Sequence, residues 1–301
     1  MKEESEMKKR IICVIFALLL CALHAGACAE AKVNIGKTPP ADWEERDLLR
    51  LIVFKVTPCD AMLLQCGGES MMIDSGTRKF ARVLEQALID LGYDAGDGHV
   101  YMPILFNTHP HDDHLQGFWQ MVRNGMTTDL FITSFPVDYR NEMQQQALKE
   151  FTGRGIPIHV LEQNEEMTLG GATLRFFWWS GGNDPNELSC CTRIEFGDAS
   201  MLLTGDAVGM AQHGLLDQVP HEWLKADILK SPHHSYTIMV KDFLNAVSPA
   251  YVFSSNTLYY AQTTQNQVEA HNAKFGTSAS GRIVLETDGK EWYIYQIKGQ
   301  I

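Results

Sequence analysis

The segment THPHDDHLQG, residues 108–117, follows the apolar run PILFNT and precedes a stretch with the spacing of an amphipathic helix. His109 and His111 are separated by one residue, so on an extended turn both imidazoles can face one point. Asp113 and His114 stand at the expected start of the helix and can face a second point nearby. Nitrogen and oxygen donors this close together are typical of a site for zinc or another first-row metal.

Polar residues also follow three other apolar runs that have the composition of buried strands. Asp74 stands in IDSG, Asp206 in LLTGDA, and His233 and His234 in LKSPHHSY. Taken singly, Asp74 and Asp206 are more typical of turns. Their order along the chain, together with the 108–117 segment, indicates a site rather than unrelated turns.

In this order and spacing the segments resemble the metallo-β-lactamase superfamily, whose metal motif reads His-x-His-x-Asp-His. The resemblance covers nearly all of the chain after residue 48 and implies an α/β fold, a four-layer αββα sandwich that forms a single domain over residues 48–301. It implies that Asp74 supports the metal loop without binding the ion directly. The metal ligands that it implies are His109, His111, Asp113, His114, Asp206 and His233.

The pair His233 and His234 leaves a choice that the resemblance decides in one direction. His233 directly follows the expected strand and Pro232, as the final metal histidine of the family does. His234 would then line the pocket or stabilise charge that develops on the substrate. Asp113 or a solvent molecule would move the proton.

The combination of DAMLLQ, IDSG, THPHDDHLQG, LTGDA and ADILKSPHHS is similar to the hydrolase domain of competence proteins of the ComEC type and their secreted stand-alone relatives. Two departures stand out. The stretch NDPNELSCC contains no third-motif histidine, and the family's His-His-Gly-Ser appears here as His233-His234-Ser235-Tyr236. A metal held by His109 and His111 would therefore have only Asp206 as a third ligand and should be the weaker of two ions.

The resemblance implies an exported metal-dependent hydrolase. If both metals bind, two cations would bridge a water molecule, lower its pKa and hold a hydroxide against the substrate. Zinc, as one or two ions, is the expected cofactor, with manganese as the alternative. The ComEC-type likeness favours phosphodiester bonds. A lactone, thioester or β-lactam hydrolase of the same fold, and a binding protein with a weakened metal site, are the alternatives.

Charge restricts the substrate further. The chain carries 25 basic and 37 acidic side chains, a formal charge of −12, and 45% of its residues are hydrophobic. This composition excludes a disordered chain and a cationic nucleic-acid binder. It also disfavours extended nucleic acid as a partner, since a long polyanion needs clustered basic residues. A small phosphodiester or an uncharged ester agrees better with this charge. No apolar run reaches about 18 residues, so no membrane-spanning helix is expected.

The first residues have the pattern of a secretory signal. Basic Lys8 to Arg10 precede the apolar run Ile11 to Leu23 and the small-residue stretch AGACAEA. We expect residues 1–29 to be a signal peptide that is cleaved before Glu30, so that the protein is exported to the periplasm or the medium. The alternative is a lipoprotein anchored through Cys28. Residues 30–47 would form a leader segment before the domain.

The remaining chain predicts two sheets between helices, because strand-like runs cluster in threes with amphipathic segments between the clusters. The cysteines after residue 30 show no metal-binding spacing, and we expect free, buried thiols. Several aromatic residues either wall a substrate pocket or belong to the packing of the core. These are Trp119, Trp178, Trp179, Tyr236, Tyr259 and Tyr260.

Overall fold

The computed structural model describes residues 31–135 and 141–301; the expected signal peptide and Cys28 lie outside the described residues. The strands are β1 (Lys32–Ile35), β2 (Leu49–Val53), β3 (Ala61–Cys66), β4 (Glu69–Ser75), β5 (Ile104–Asn107), β6 (Leu130–Thr133), β7 (Ile158–Val160), β8 (Glu166–Leu169), β9 (Ala172–Phe177), β10 (Cys191–Phe196), β11 (Ala199–Leu203), β12 (Ile228–Lys230), β13 (Tyr251–Ser254), β14 (Lys274–Thr277), β15 (Gly281–Thr287) and β16 (Glu291–Lys298).

The α-helices lie mostly between strands of the parallel regions. They are α1 (Ala81–Asp90), α2 (Asp112–Asn124), α3 (Glu142–Gly153), α4 (Gly209–Gln218), α5 (His221–Leu224), α6 (Lys241–Val247) and α7 (Leu258–Ala270). Within the described ranges, none of the helices has the length and apolar character needed to cross a membrane.

The strands form two mixed sheets. The first has the order β1-β16-β15-β2-β3-β4-β5-β6-β7, and the second has the order β14-β13-β12-β11-β10-β9-β8. Strands β4 to β7 are parallel to one another, and so are β11 to β14. The expected leader segment contributes β1, which pairs with β16 and extends the first sheet at its edge.

Side chains alternate between two cores along each sheet, as the two-residue period of a strand requires. On β2, Leu51 and Val53 face the second sheet across a central core, whereas Ile52 faces a different core on the outer side. The four cysteines of the described residues are free and buried, in agreement with the expectation.

Helices cover both outer faces. Side chains of α1, α2 and α3 pack on the first sheet, and side chains of α4 to α7 pack on the second. The layers are therefore helices, sheet, sheet and helices. The αββα architecture predicted from the sequence is confirmed.

The carboxyl ends of five neighbouring strands in the two sheets supply the polar residues of the site. Asp74 lies at the end of β4, Thr108 directly after β5, Asp206 after β11, Lys230 at the end of β12 and Ser255 after β13. In open α/β sheets this edge is where ligands bind, because loops leave it and side chains converge there.

A close contact between α2 and β4 fixes the start of the helix. A Cβ built on Gly117 would stand 2.0 Å from the backbone oxygen of Ser75, so only glycine fits there. Ser75 Oγ donates to the backbone oxygen of His114 at 2.9 Å and accepts from the backbone N–H of Phe118 at 2.7 Å. This contact places Asp113 and His114 beside the end of β4.

Gly117→Ala should lower the free energy of unfolding by about 1–3 kcal/mol, because the helix must move away from β4 to make room for the methyl group. Gly153→Ala is the matched control, since nothing lies within 4 Å of the added atom. It should leave stability unchanged or raise it by about 0.4–1 kcal/mol. Urea denaturation measures both, and equal midpoints for the two variants would contradict the close-contact interpretation.

Candidate metal centre

Asp74 connects the end of β4 to the 108–117 loop and to one histidine. Its carboxylate accepts hydrogen bonds from the Thr108 backbone N–H at 2.9 Å, the Thr108 hydroxyl at 2.7 Å and the Asn107 side-chain amide at 3.1 Å. Its Oδ2 lies 2.7 Å from His114 Nδ1. A proton held on Nδ1 by this carboxylate leaves Nε2 of His114 as the free donor atom, which is the arrangement that supports metal-binding histidines.

The Nε2 atom of His114 faces three further donor atoms. It lies 3.2 Å from Nε2 of His234, 3.3 Å from Oδ2 of Asp206 and 4.0 Å from Oδ1 of Asp113. Nε2 of His234 lies 3.2 Å from Oδ2 of Asp206 and 3.2 Å from Oδ2 of Asp113. A tetrahedral ion with bonds of about 2.0–2.1 Å separates its ligand atoms by about 3.3–3.4 Å. The spacing of these atoms therefore fits a metal ion.

Asp60 also belongs to the buried group, but it approaches from the other side of the rings. Asp60, His114, Asp206 and His234 each offer a ligand atom within 4.8 Å of the others. Oδ1 of Asp60, however, lies 3.3 Å from Nδ1 of His234, and it accepts from the Ser255 hydroxyl at 2.6 Å. Asp60 thus stands behind His234 as Asp74 stands behind His114.

Lys230 is fully buried between two carboxylates. Its Nζ lies 2.5 Å from Oδ2 of Asp60 and 3.5 Å from Oδ1 of Asp206, and it donates to the backbone oxygen of Gly205 at 2.6 Å. Burial lowers the pKa of Lys230, but the two carboxylates outweigh it and raise that pKa above its ordinary value. The charged ammonium therefore faces Oδ1 of Asp206 as an ion-pair partner without a hydrogen bond, while Oδ2 of Asp206 faces the histidines.

His109 and His111 form a second, smaller group of donors. Nε2 of His109 lies 3.1 Å from Nδ1 of His111 and 3.8 Å from Oδ2 of Asp206. On its other side, Nδ1 of His109 lies 3.2 Å from the Ser189 hydroxyl, which accepts from the backbone N–H of Asp206 at 2.8 Å. Burial, reinforced by His114, keeps the pKa of His109 well below its ordinary value, so this ring is neutral and its lone pair is available.

The positions of His233 and His234 are the reverse of the sequence expectation. His234 is buried in the donor group, whereas His233 is half-buried with its ring centroid 6.2 Å from that of His234. The physical reason is the backbone. His233 and His234 have φ of 49°, and Ser235 has φ of 62°, so the chain turns through the left-handed region after Pro232. This turn directs the second histidine, not the first, back toward the ends of the strands.

Opposite charges balance in the buried group. Burial opposes the charged form of His114 and His234, but Asp206 outweighs it in both and holds their pKa values well above the ordinary histidine value. Burial likewise opposes ionisation of Asp206, but the two histidines keep its pKa well below its ordinary value. Without a metal, both rings carry protons that neutralise the carboxylates.

Four residues of the site were not identified from the sequence. Asp60 precedes the strand-like run AMLLQC. Lys230 ends the apolar run DILK, and a single lysine at the end of an apolar strand was the one feature that could have indicated a buried charge there. Ser189 and Ser255 carry no distinguishing pattern. Their partners lie far away along the chain, and only the stacking of the two sheets brings them together.

Comparison with known proteins identifies the family of the chain. The family model described as the metallo-beta-lactamase superfamily matches residues 55–249. The competence protein ComA of Neisseria gonorrhoeae is 32% identical over 106 residues, which make up 33% of this chain and 15% of that protein. The matched region is thus a small part of the relative's length.

Solved structures with the same fold share little sequence with the chain. The metallo-beta-lactamase fold protein YhfI from Bacillus subtilis superposes with a TM-score of 0.54 at 13% identity, covering 80% of this chain and 100% of that one. CmlA, a diiron beta-hydroxylase from Streptomyces venezuelae, gives 0.53 at 11% identity, with 84% and 55% covered. Zinc-bound PqqB from Methylobacterium extorquens gives 0.51 at 10% identity, with 75% and 97% covered.

Metal affinity should rise with pH. Because His114 and His234 have raised pKa values, both are protonated at neutral pH, and a cation must displace their protons to bind. Isothermal titration with Zn²⁺ in buffers of different ionisation enthalpy should register up to about two protons released per ion. An affinity that stays constant from about pH 6 to about pH 8 would contradict the raised pKa values.

Lys230→Met should lower the free energy of unfolding of the metal-free protein by about 3–5 kcal/mol, because Asp60 and Asp206 then lose a buried positive partner. Lys241→Met, at the exposed start of α6, is the control and should change it by less than about 0.5 kcal/mol. Urea denaturation provides the comparison. Equal stability of the two variants would show that Lys230 does not compensate the buried carboxylates.

Proposed function

Because the chain belongs to the metallo-beta-lactamase superfamily, we propose that it is a metal-dependent hydrolase with Asp113, His114, Asp206 and His234 as the ligands of its principal ion. The observation that carries the proposal is the spacing of 3.2–3.3 Å between most of the facing donor atoms of these residues. The resemblance found in the sequence is confirmed at the level of the family.

We propose a second, weaker ion at His109 and His111, with Asp206 shared between the two ions. Oδ2 of Asp206 lies 3.2–3.8 Å from the Nε2 atoms of His109, His114 and His234, which suits a bridging carboxylate. The second group offers three donors where the first offers four. It should therefore lose its ion first.

The donor set consists of imidazole nitrogen and carboxylate oxygen, which suits zinc and, as the alternative, manganese. A divalent cation held by these residues would polarise the substrate and lower the pKa of a water molecule. The protein's own residues orient the metal ligands and balance their charges. Asp74 and Asp60 orient the rings of His114 and His234, and Lys230 places a positive charge beside Asp206.

The four proposed ligands of the principal ion are called the principal group. Asp113 is the carboxylate of this group that reaches solvent, with 34% of its side chain exposed. Burial opposes its ionisation, but His234 outweighs this effect and lowers the pKa of Asp113, so it is ionised at neutral pH. We assign it the task of accepting a proton at the edge of the site. His233, half-buried beside the group, takes the pocket-lining position first expected for His234.

A small phosphodiester is the proposed substrate. The ComEC-type resemblance and the match to a competence protein support this class, and the charge of −12 disfavours a long polyanion. The alternatives are a lactone, thioester or β-lactam substrate, and metal binding without turnover. They are distinguished by which substrate, if any, the purified protein hydrolyses.

We further propose that the protein is exported, on the signal-like pattern of residues 1–29. The intact mass of the protein recovered from the cell exterior or periplasm should correspond to a chain that begins at Glu30. A diacylglyceryl modification on Cys28 would favour the lipoprotein alternative.

The hydrolase proposal is tested by assaying the purified protein, loaded with Zn²⁺ or Mn²⁺, on bis-p-nitrophenyl phosphate, a lactone and nitrocefin. We expect the phosphodiester to be cleaved fastest. Asp206→Ala should lose both ions and the activity together, whereas His109→Ala should keep one ion. Inductively coupled plasma mass spectrometry gives the metal content of each variant.

Each result separates the alternatives. Faster hydrolysis of the lactone or nitrocefin would contradict the phosphodiester proposal and favour a lactone, thioester or β-lactam as the substrate. Tight metal binding without turnover of any substrate would favour the binding protein. Wild-type metal content in Asp206→Ala would contradict the shared-carboxylate arrangement itself.

A further inference from the structure

Three tyrosines next to the metal centre are exposed to solvent. Tyr236, Tyr259 and Tyr260 are 47%, 83% and 55% exposed, so packing in the core does not explain them. The tryptophans considered with them have other roles. Trp178 is buried in the central core, Trp179 packs against the outer face of the second sheet, and Trp119 donates to Glu150 at 2.6 Å.

The tyrosine rings form a continuous surface that begins at the centre. The centroid of Tyr236 lies 6.2 Å from that of His234 and 5.9 Å from that of His233. Tyr260 follows at 5.6 Å from Tyr236, and Tyr259 at 5.0 Å from Tyr260, all in edge-to-face arrangement. A substrate group that contacts these rings would lie next to the part of the substrate that is bound at His234.

The turn that carries Tyr236 is held in place by hydrogen bonds. The left-handed backbone of residues 233–235 is costly for residues other than glycine and persists only where the surroundings enforce it. Ser235 Oγ donates to Ser231 Oγ at 2.7 Å, and the backbone N–H of Tyr236 donates to the oxygen of His233 at 2.8 Å. Ser254 Oγ also donates to the oxygen of His234 at 3.2 Å. Tyr236 is therefore presented in a fixed position.

We propose that Tyr236, Tyr259 and Tyr260 form a stacking subsite for the planar heterocycle of a small phosphodiester, such as the base of a nucleotide, next to the bond that is cleaved. This inference rests on the proposed hydrolase function and adds the group that selects the substrate. Exposed aromatic rings bind bases by stacking on their faces and do not require a basic groove. The acidic chain, which repels long polyanions, is compatible with a ligand of one or two nucleotides.

The test is equilibrium binding of thymidine 5′-monophosphate and of methyl phosphate to the zinc-loaded protein, measured by calorimetry. We expect the nucleotide to bind about 5- to 150-fold more tightly, the range that corresponds to stacking of one base. The double variant Tyr236→Ala with Tyr260→Ala should lose this preference, because the ring surface is gone. The corresponding double Phe variant should keep it, since stacking needs the ring and not the hydroxyl.

Tyr101→Ala is the matched control. Tyr101 is 39% exposed and precedes β5, at the end of the strand opposite to the centre. The Tyr101→Ala variant should keep the wild-type preference for the nucleotide over methyl phosphate. Equal affinity of the wild-type protein for both phosphates would overturn the inference, and so would an equal loss in Tyr101→Ala.

Hydrolysis of methyl p-nitrophenyl phosphate distinguishes this inference from the hydrolase proposal. If the wild-type protein cleaves it but shows no preference for the nucleotide, the subsite is refuted and the hydrolase proposal stands. If the tyrosine-dependent preference is present without cleavage of any phosphodiester, the subsite is upheld and the phosphodiesterase proposal fails. Tyrosine-dependent binding of an acyl lactone in place of the nucleotide would overturn the assignment to a heterocycle.

Discussion

The buried ion pairs of Lys230 with Asp60 and Asp206 are the interaction on which the centre depends. Two carboxylates that lie so close together below the surface would each favour protonation unless a fixed positive charge compensated them. Lys230 supplies that charge to Asp60, with its Nζ 2.5 Å away, and it adds a more distant charge 3.5 Å from Asp206, whose pKa is kept low mainly by His234 and His114. One oxygen of Asp206 faces the ammonium of Lys230, and the other faces the histidines.

Each histidine of the principal group has its own carboxylate behind it, and the partners come from different parts of the fold. Asp74 and His114 both belong to the first sheet and its helix, whereas Asp60 reaches from the first sheet to His234 on the second. The centre therefore exists only when the two sheets are stacked. A change that separates them would disturb the ligand spacing before it disturbed either sheet.

The sequence predicts the fold and the location of the site because both depend on local patterns. Apolar runs gave the strands, and the 108–117 segment holds four donors within one turn of chain. Asp60 and Lys230 were missed because they pair across a separation of 170 positions, which leaves no local trace in the sequence. The choice between His233 and His234 depended on left-handed backbone at residues that are not glycine, which a sequence without glycine in the turn does not indicate.

The central claim, that His234 and not His233 completes the principal group, is tested most directly by the zinc affinity of two neighbouring variants. His234→Ala and His233→Ala remove the same side chain one residue apart, and competition with a chromophoric chelator measures each. The account predicts that His234→Ala loses the tighter ion, whereas His233→Ala retains wild-type affinity for it. Loss of that ion in His233→Ala, with retention in His234→Ala, would contradict the account.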